Sequence, residues 1–177
     1  MKCCAVVDTN VLVAALLSKN DDAATVRLIR AMLRGEFTPL YHEDILEEYD
    51  DVLHRKQKYY LSEDAIQKLL NAIRKYGIEV FPQPTGEMLI DEDDIIFYEV
   101  AMEKRDDNAY LVTGNMKHYP VRDYIVTPAE MLGILEQSKN KMGKLIKAAV
   151  NSDNRGLPER EAPVVSQVHK KHTDEKQ

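Results

Sequence analysis

Val6-Val7-Asp8-Thr9-Asn10-Val11-Leu12-Val13 places an aspartate where an apolar strand gives way to a helix. Residues 3 to 7 read as a short buried strand, and Val11 to Leu17 begin a helix whose apolar positions crowd one side. Open α/β sheets bind their ligands at the carboxyl ends of strands, so a carboxylate here stands where chemistry is usually done. Asp, Thr and Asn are also the preferred helix caps. Within this segment both readings of Asp8 stand, and the acidic and amide positions further along must decide between them.

Outward from this point, strands and helices alternate. Asp21 and Asp22 open a second helix through Val26, Leu28, Ile29, Met32 and Leu33, closed by Gly35 in the position that favours glycine. Thr38 to Tyr41 is a second strand, and His42 to Arg55 a helix with Ile45, Leu46, Tyr49, Val52 and Leu53 on one stripe. Ser62 caps the next helix through Ile66, Leu69, Leu70 and Ile73, a stripe that reads as core, with an interface as the alternative. Ile78 to Phe81 is strand, and Pro82, Pro84 and Gly86 form the loop after it. Asp94 to Arg105 is helical, while Ala109 to Thr113 and Tyr124 to Val126 are strands. Thr127-Pro128-Ala129-Glu130 is a capping box with proline at the first helical position. Such alternation predicts an α/β fold of three layers, α/β/α, around a central, mostly parallel sheet of about five strands. Residues 1–138 form the domain. Residues 139–150 read as a further amphipathic helix carrying Met142, Leu145, Ile146 and Ala149. Residues 151–177, polar and aperiodic, read as a disordered tail, with a partner-docking tail as the alternative.

Composition narrows the function classes. The 177 residues are 44% hydrophobic and 31% charged, the balance of a globular protein. No apolar run reaches the roughly 20 residues that span a bilayer, and no secretory leader pattern opens the chain, which points to the cytoplasm. Cys3 and Cys4 are adjacent within a strand, so their side chains face opposite ways and read as core thiols. Of the net charge of -6, residues 139–177 contribute nine Lys and Arg against five Asp and Glu, leaving the body with fifteen against twenty-five. An acidic body argues against broad electrostatic DNA binding. It leaves room for a nucleic-acid enzyme whose acids hold cations.

The acidic positions sort by geometry. At ~100° per residue on the His42 helix, Glu47 lies opposite the apolar stripe and Glu48 at its edge, where a carboxylate can turn into a cleft. Glu47, Asp50 and Asp51 read as a solvated face. Asp91-Glu92-Asp93-Asp94 precedes a helix whose dipole favours one or two acids. Four in succession repel one another, which points to a nearby cation, with a solvated acidic turn as the alternative. Tyr110-Leu111-Val112-Thr113-Gly114-Asn115 is another strand running into a tight polar turn, for which a purely structural reading suffices. In a parallel sheet, Asp8 and Asn115 can meet at one edge with Glu48 and Asp94 reaching in from helices.

In this order and spacing, Asp8-Thr9-Asn10-Val11, Ile45-Leu46-Glu47-Glu48-Tyr49, Asp91-Glu92-Asp93-Asp94 with Phe97 and Ala101, and Val112-Thr113-Gly114-Asn115 resemble the PIN-domain family of small metal-dependent ribonucleases. The similarity runs from about Lys2 to Leu135 and is strongest to bacterial toxin components of toxin-antitoxin pairs. The resemblance implies Asp8, Glu48 and Asp94 as the acids that hold Mg²⁺ or Mn²⁺, with Thr9 as a hydroxyl beside them. The step from Asp94 to Ala101 matches the family's acid-to-alanine spacing and selects Asp94 over Asp93 and Asp91. Where the family usually has a fourth acid, this chain has Asn115, a carbonyl donor without charge. Lys117 and His118 follow, and a surface turn is their expected home, with phosphate contact as the alternative. The implied reaction is hydrolysis of RNA phosphodiesters, and the implied partners are RNA, a small antitoxin and a second copy of the chain. The competing reading is an inactive PIN-like module that binds RNA or protein. A metal phosphohydrolase acting on a small substrate or DNA is a third. The aspartyl-phosphate type of phosphatase is disfavoured, because no second aspartate stands two residues after Asp8.

Overall fold

The computed structural model describes residues 3–55 and 62–153. The chain divides into two compact units, Met1–Asn140 and Lys141–Gln177.

The first unit is built on five parallel strands: β1 Cys4–Val7, β2 Thr38–Tyr41, β3 Ile78–Glu79, β4 Ala109–Val112 and β5 Ile125–Val126. Their order across the sheet is β3-β2-β1-β4-β5. β1 is central because every one of its side chains is buried, and alternate side chains face opposite sides of a sheet, so helices must cover both faces. The helices are α1 Thr9–Leu17, α2 Ala24–Leu33, α3 Glu43–Arg55, α4 Glu63–Tyr76, α5 Ile95–Glu103 and α6 Pro128–Asp153. The three-layer α/β/α architecture is thus the one the alternation predicts. Leu12, Leu28, Phe37, Leu40, Ile45, Tyr49, Phe97 and Leu111 are among the fully buried side chains of a single core. Tyr49 on α3 meets Phe97 on α5 with ring centroids 6.2 Å apart, and its hydroxyl donates to the Val7 carbonyl at the end of β1.

Register places the site. Val7 pairs with Val112, so β1 and β4 end level and release Asp8 and Thr113 side by side. The chain leaves β1 toward β2 on one side and β4 lies on the other, which makes this strand end a switch point of the topology, the usual ligand crevice of a parallel sheet.

Several element ends differ from expectation, each for a local reason. α1 begins at Thr9, two residues early, because Asp8 itself caps it through the Asn10 amide. α2 begins at Ala24 and has no side-chain cap; Asp21 instead pairs with Arg30 at 2.7 Å. Gly35 does close it, at φ +70°, with its amide on the Met32 carbonyl. β3 keeps only two residues, and Phe81 beyond it is exposed. A 3-10 turn over Glu92–Asp94 leads into α5, which ends at Glu103, two residues early. Both expected caps form: Ser62 accepts from the Ala65 amide, and Thr127 exchanges bonds with Glu130. The helix that Thr127 starts does not stop at Ser138, whose hydroxyl donates to the Ile134 carbonyl within the helix. The amphipathic segment expected at 139–150 is therefore part of α6, and in the second unit its Met142, Leu145, Ile146 and Val150 are exposed. Of the expected tail, Asn151–Asp153 is helical; residues 154–177 lie outside the described residues. Cys3 and Cys4 are both buried thiols, as read from the sequence. No helix among the described residues is long and apolar enough to cross a membrane.

Candidate functional site

Asp8 is 4% exposed, yet it is a carboxylate. Its Oδ1 accepts the Asn10 amide at 3.0 Å, and its Oδ2 accepts the Thr113 hydroxyl at 2.7 Å and the Tyr119 hydroxyl at 3.3 Å. Three donors hold it in place without neutralising its charge and leave acceptor capacity on Oδ1. Among the described residues no Lys or Arg forms an ion pair with Asp8, Glu48 or Asp94; the one basic contact is from His118 Nδ1 to Asp94 Oδ2, at 2.8 Å. A buried anion beside two further acids is an arrangement that a bound cation completes.

Glu48 is half-buried at the edge of α3 and accepts the Thr9 hydroxyl at 2.5 Å, while Glu47 is exposed. Burial pushes the Glu48 carboxyl above its ordinary range; the Thr9 bond opposes this and the charges of Asp8, Asp94 and Asp93 add to it. Asp94 starts α5 and is displaced upward by burial, opposed by the His118 hydrogen bond and reinforced by Asp8. Burial, with Asp8 and Asp94 nearby, raises Tyr119 far enough that its phenol stays a neutral donor.

The three acids line a cavity of about 390 Å³. Asp8, Thr9, Glu48, Asp94 and Asn115 all reach it, Val13, Ala14 and Val52 form an apolar wall, and Asn10, Asp91 and His118 complete the lining. A neighbouring acidic groove, lined partly by Glu47, Asp51, Glu92 and Asp93, shares Glu48 and Asp94 with it. The donors are mostly hard carboxylate oxygens, a set that fits a divalent cation.

Asn115 is placed differently from the expected partner of Asp8. It is exposed at the rim, and Thr113 occupies the place beside Asp8, accepting the Asn115 amide at 2.9 Å. Within this turn Asn115 has φ -110°, and Gly114 is not among the residues at positive φ. A Cβ at Gly114 would lie 2.9 Å from Asn10 Oδ1, which accepts the Gly114 amide at 3.0 Å, so any larger residue there must push the Asn10 side chain aside. Asn10 thus clamps the loop after β4 onto α1. Gly114→Ala is expected to lose that bond and about 1 kcal/mol, and to weaken Mn²⁺ binding measured by calorimetry. Unchanged melting and unchanged binding would contradict the clamp.

Sequence reading missed Tyr119 and the roles of Asn10 and Thr113, and it placed His118 on a surface turn with Lys117. Lys117 is exposed as expected, whereas His118 is half-buried against Asp94. Thr113 was accessible to inference, because it follows β4 as Asp8 follows β1. Nothing in the local pattern marked the others.

A parallel α/β/α sheet with a carboxylate centre at its switch point defines the class. Residues 4–117 match the model of the PIN domain, and the chain belongs to the PIN-domain family, whose members are generally nucleases that use divalent metals. An uncharacterized protein of Methanocaldococcus jannaschii is 27% identical over 120 residues, covering 67% of this chain and 74% of its own. No solved structure matches significantly.

The raised carboxyls give the metal-free protein a defined pH dependence. A carboxyl whose folded pKa lies above its unfolded value contributes stability below the ordinary carboxylate range, and that contribution is lost as pH rises through the folded value. At neutral pH Glu48 is therefore a net liability to the metal-free fold. Glu48→Gln, which can still accept the Thr9 hydroxyl, is expected to add about 1 kcal/mol at neutral pH. Thermal melting in chelator across pH measures this, with the variant's advantage shrinking on acidification. A lower melting temperature for the variant at neutral pH would contradict it.

Proposed function

We propose that this protein is an endoribonuclease that hydrolyses RNA phosphodiesters with Mg²⁺ or Mn²⁺, and that it is the toxin of a toxin-antitoxin pair. The observation that carries the nuclease reading is buried Asp8, gathered with Glu48 and Asp94 around one cavity and without a Lys or Arg counter-charge among the described residues. Asp8 and Asp94 would be the ligands, with Glu48 holding a ligand or water. When bound, the cation activates water and offsets the charge that develops on the phosphoryl oxygens.

The chain's own residues do the positioning. Thr113, Tyr119 and the Asn10 amide fix both oxygens of Asp8, so its carboxylate is oriented before any substrate arrives. Thr9 orients Glu48. Asn115, at the rim, offers an uncharged carbonyl where an acid would otherwise repel phosphate. Val13, Ala14 and Val52 restrict water on the apolar side.

The toxin assignment draws on the family resemblance and on the acidic groove beside the cavity, whose charge suits a basic segment of a small antitoxin. A homodimer belongs to the same reading. Incubation of the purified protein with total RNA in Mg²⁺, in Mn²⁺ and in chelator tests the enzyme reading. Cleavage is expected with either cation and none in chelator. Identical patterns in all three would overturn it, and absence of cleavage with intact metal binding would favour an inactive binding module.

A further inference from the structure

We propose that Asp91, Asp94 and His118 form a cation position of their own in the cleft, and that the imidazole makes it favour Mn²⁺ over Mg²⁺. One ligand atom from each of the three lies within 4.8 Å of the others. His118 Nδ1 hydrogen-bonds Asp94 Oδ2 at 2.8 Å, so a cation taken up here would displace the proton they share and find both atoms already side by side. Asp91 is exposed, so its carboxylate turns at little cost, and it uses Oδ1 to accept the Asp93 amide.

The loop after β4 gives this position its meaning. At Asn115 that loop lacks the charge expected there, and three residues later it turns His118 back to Asp94 on the wall of the same cavity. The set is not purely acidic. Imidazole nitrogen suits transition metals, while a site of oxygens alone suits Mg²⁺ equally well, so His118 is the residue that shifts the choice. Since Asp94 is shared with the carboxylate centre, this inference rests on the reading of the cleft as a divalent-metal site.

Calorimetric titration of the full chain with Mn²⁺ and, separately, with Mg²⁺ tests it, together with pulsed paramagnetic resonance of the Mn²⁺-loaded protein. The wild type is expected to show coupling from a directly bound imidazole nitrogen, and His118→Ala to lose it. The same variant should lose roughly 10-fold or more in Mn²⁺ affinity and much less in Mg²⁺ affinity. Absence of nitrogen coupling in Mn²⁺-loaded wild type, its persistence in His118→Ala, or equal losses for both cations would overturn the proposal. Asp8→Asn separates the two levels. If Mn²⁺ binding depends on Asp8 but shows no His118 nitrogen, only this inference falls; if Mn²⁺ does not bind the wild type, both fall.

Discussion

Asp8→Asn is expected to reduce metal-dependent RNA cleavage by more than about 100-fold, beyond what loss of a partner outside the metal's own ligands costs, without lowering the melting temperature. The substitution keeps shape and changes charge. Asparagine's carbonyl can accept the Asn10 amide as Oδ1 now does, and the Thr113 and Tyr119 hydroxyls can rotate to accept from its amide. Because Asp8 is buried beside Glu48 and Asp94, removing its charge relieves repulsion in the metal-free protein. Activity and stability should therefore move in opposite directions, the pattern of a residue retained for chemistry. Cleavage of a labelled RNA and thermal melting in chelator measure the two sides. Retained cleavage would remove Asp8 from the site, and a collapsed fold would return it to a capping role.

The largest stability effect is expected at Phe97, not at any site residue. This ring is 1% exposed on α5 and meets Tyr49, the residue that ties α3 to the end of β1. Phe97→Ala removes a large buried ring from a core that cannot collapse around it, at a cost of about 3–5 kcal/mol. For a chain of this size that lowers melting on the order of 10 °C. Phe97 lies three residues after Asp94, so loosening α5 also loosens the acid at its start, and Mn²⁺ affinity should fall with stability. Phe81→Ala is the contrast: Phe81 is 68% exposed, and its loss should stay within ~0.5 kcal/mol. Urea denaturation of both variants measures this, and a cost below ~1 kcal/mol for Phe97→Ala would contradict the packing account.

Much of the fold was legible because its signals are local. Apolar runs marked four of the strands closely, and Ser62, Gly35 and Thr127 marked helix ends through hydrogen bonds made within a few residues. Failures came where no local signal existed. Nothing at Ser138 breaks a helix, and Phe81 reads as strand although its partner strand β2 ends at Tyr41. For the site, Asp8 at a strand end and Glu48 at a stripe edge follow from chain position and periodicity. The groups that hold Asp8 do not. Thr113 and Tyr119 are more than a hundred residues away, and they reach it only because the pairing of Val7 with Val112 aligns two strand ends. His118 depends further on how Asn10 pins the loop that carries it.

The most direct measurement of the central claim is calorimetric titration of the metal-free protein with Mn²⁺. Saturable binding that Asp8→Asn weakens at least ~10-fold, and that fades as pH falls toward the raised carboxyls of Glu48 and Asp94, is the result this account predicts. A titration without saturable binding, or binding that Asp8→Asn leaves untouched, would contradict it.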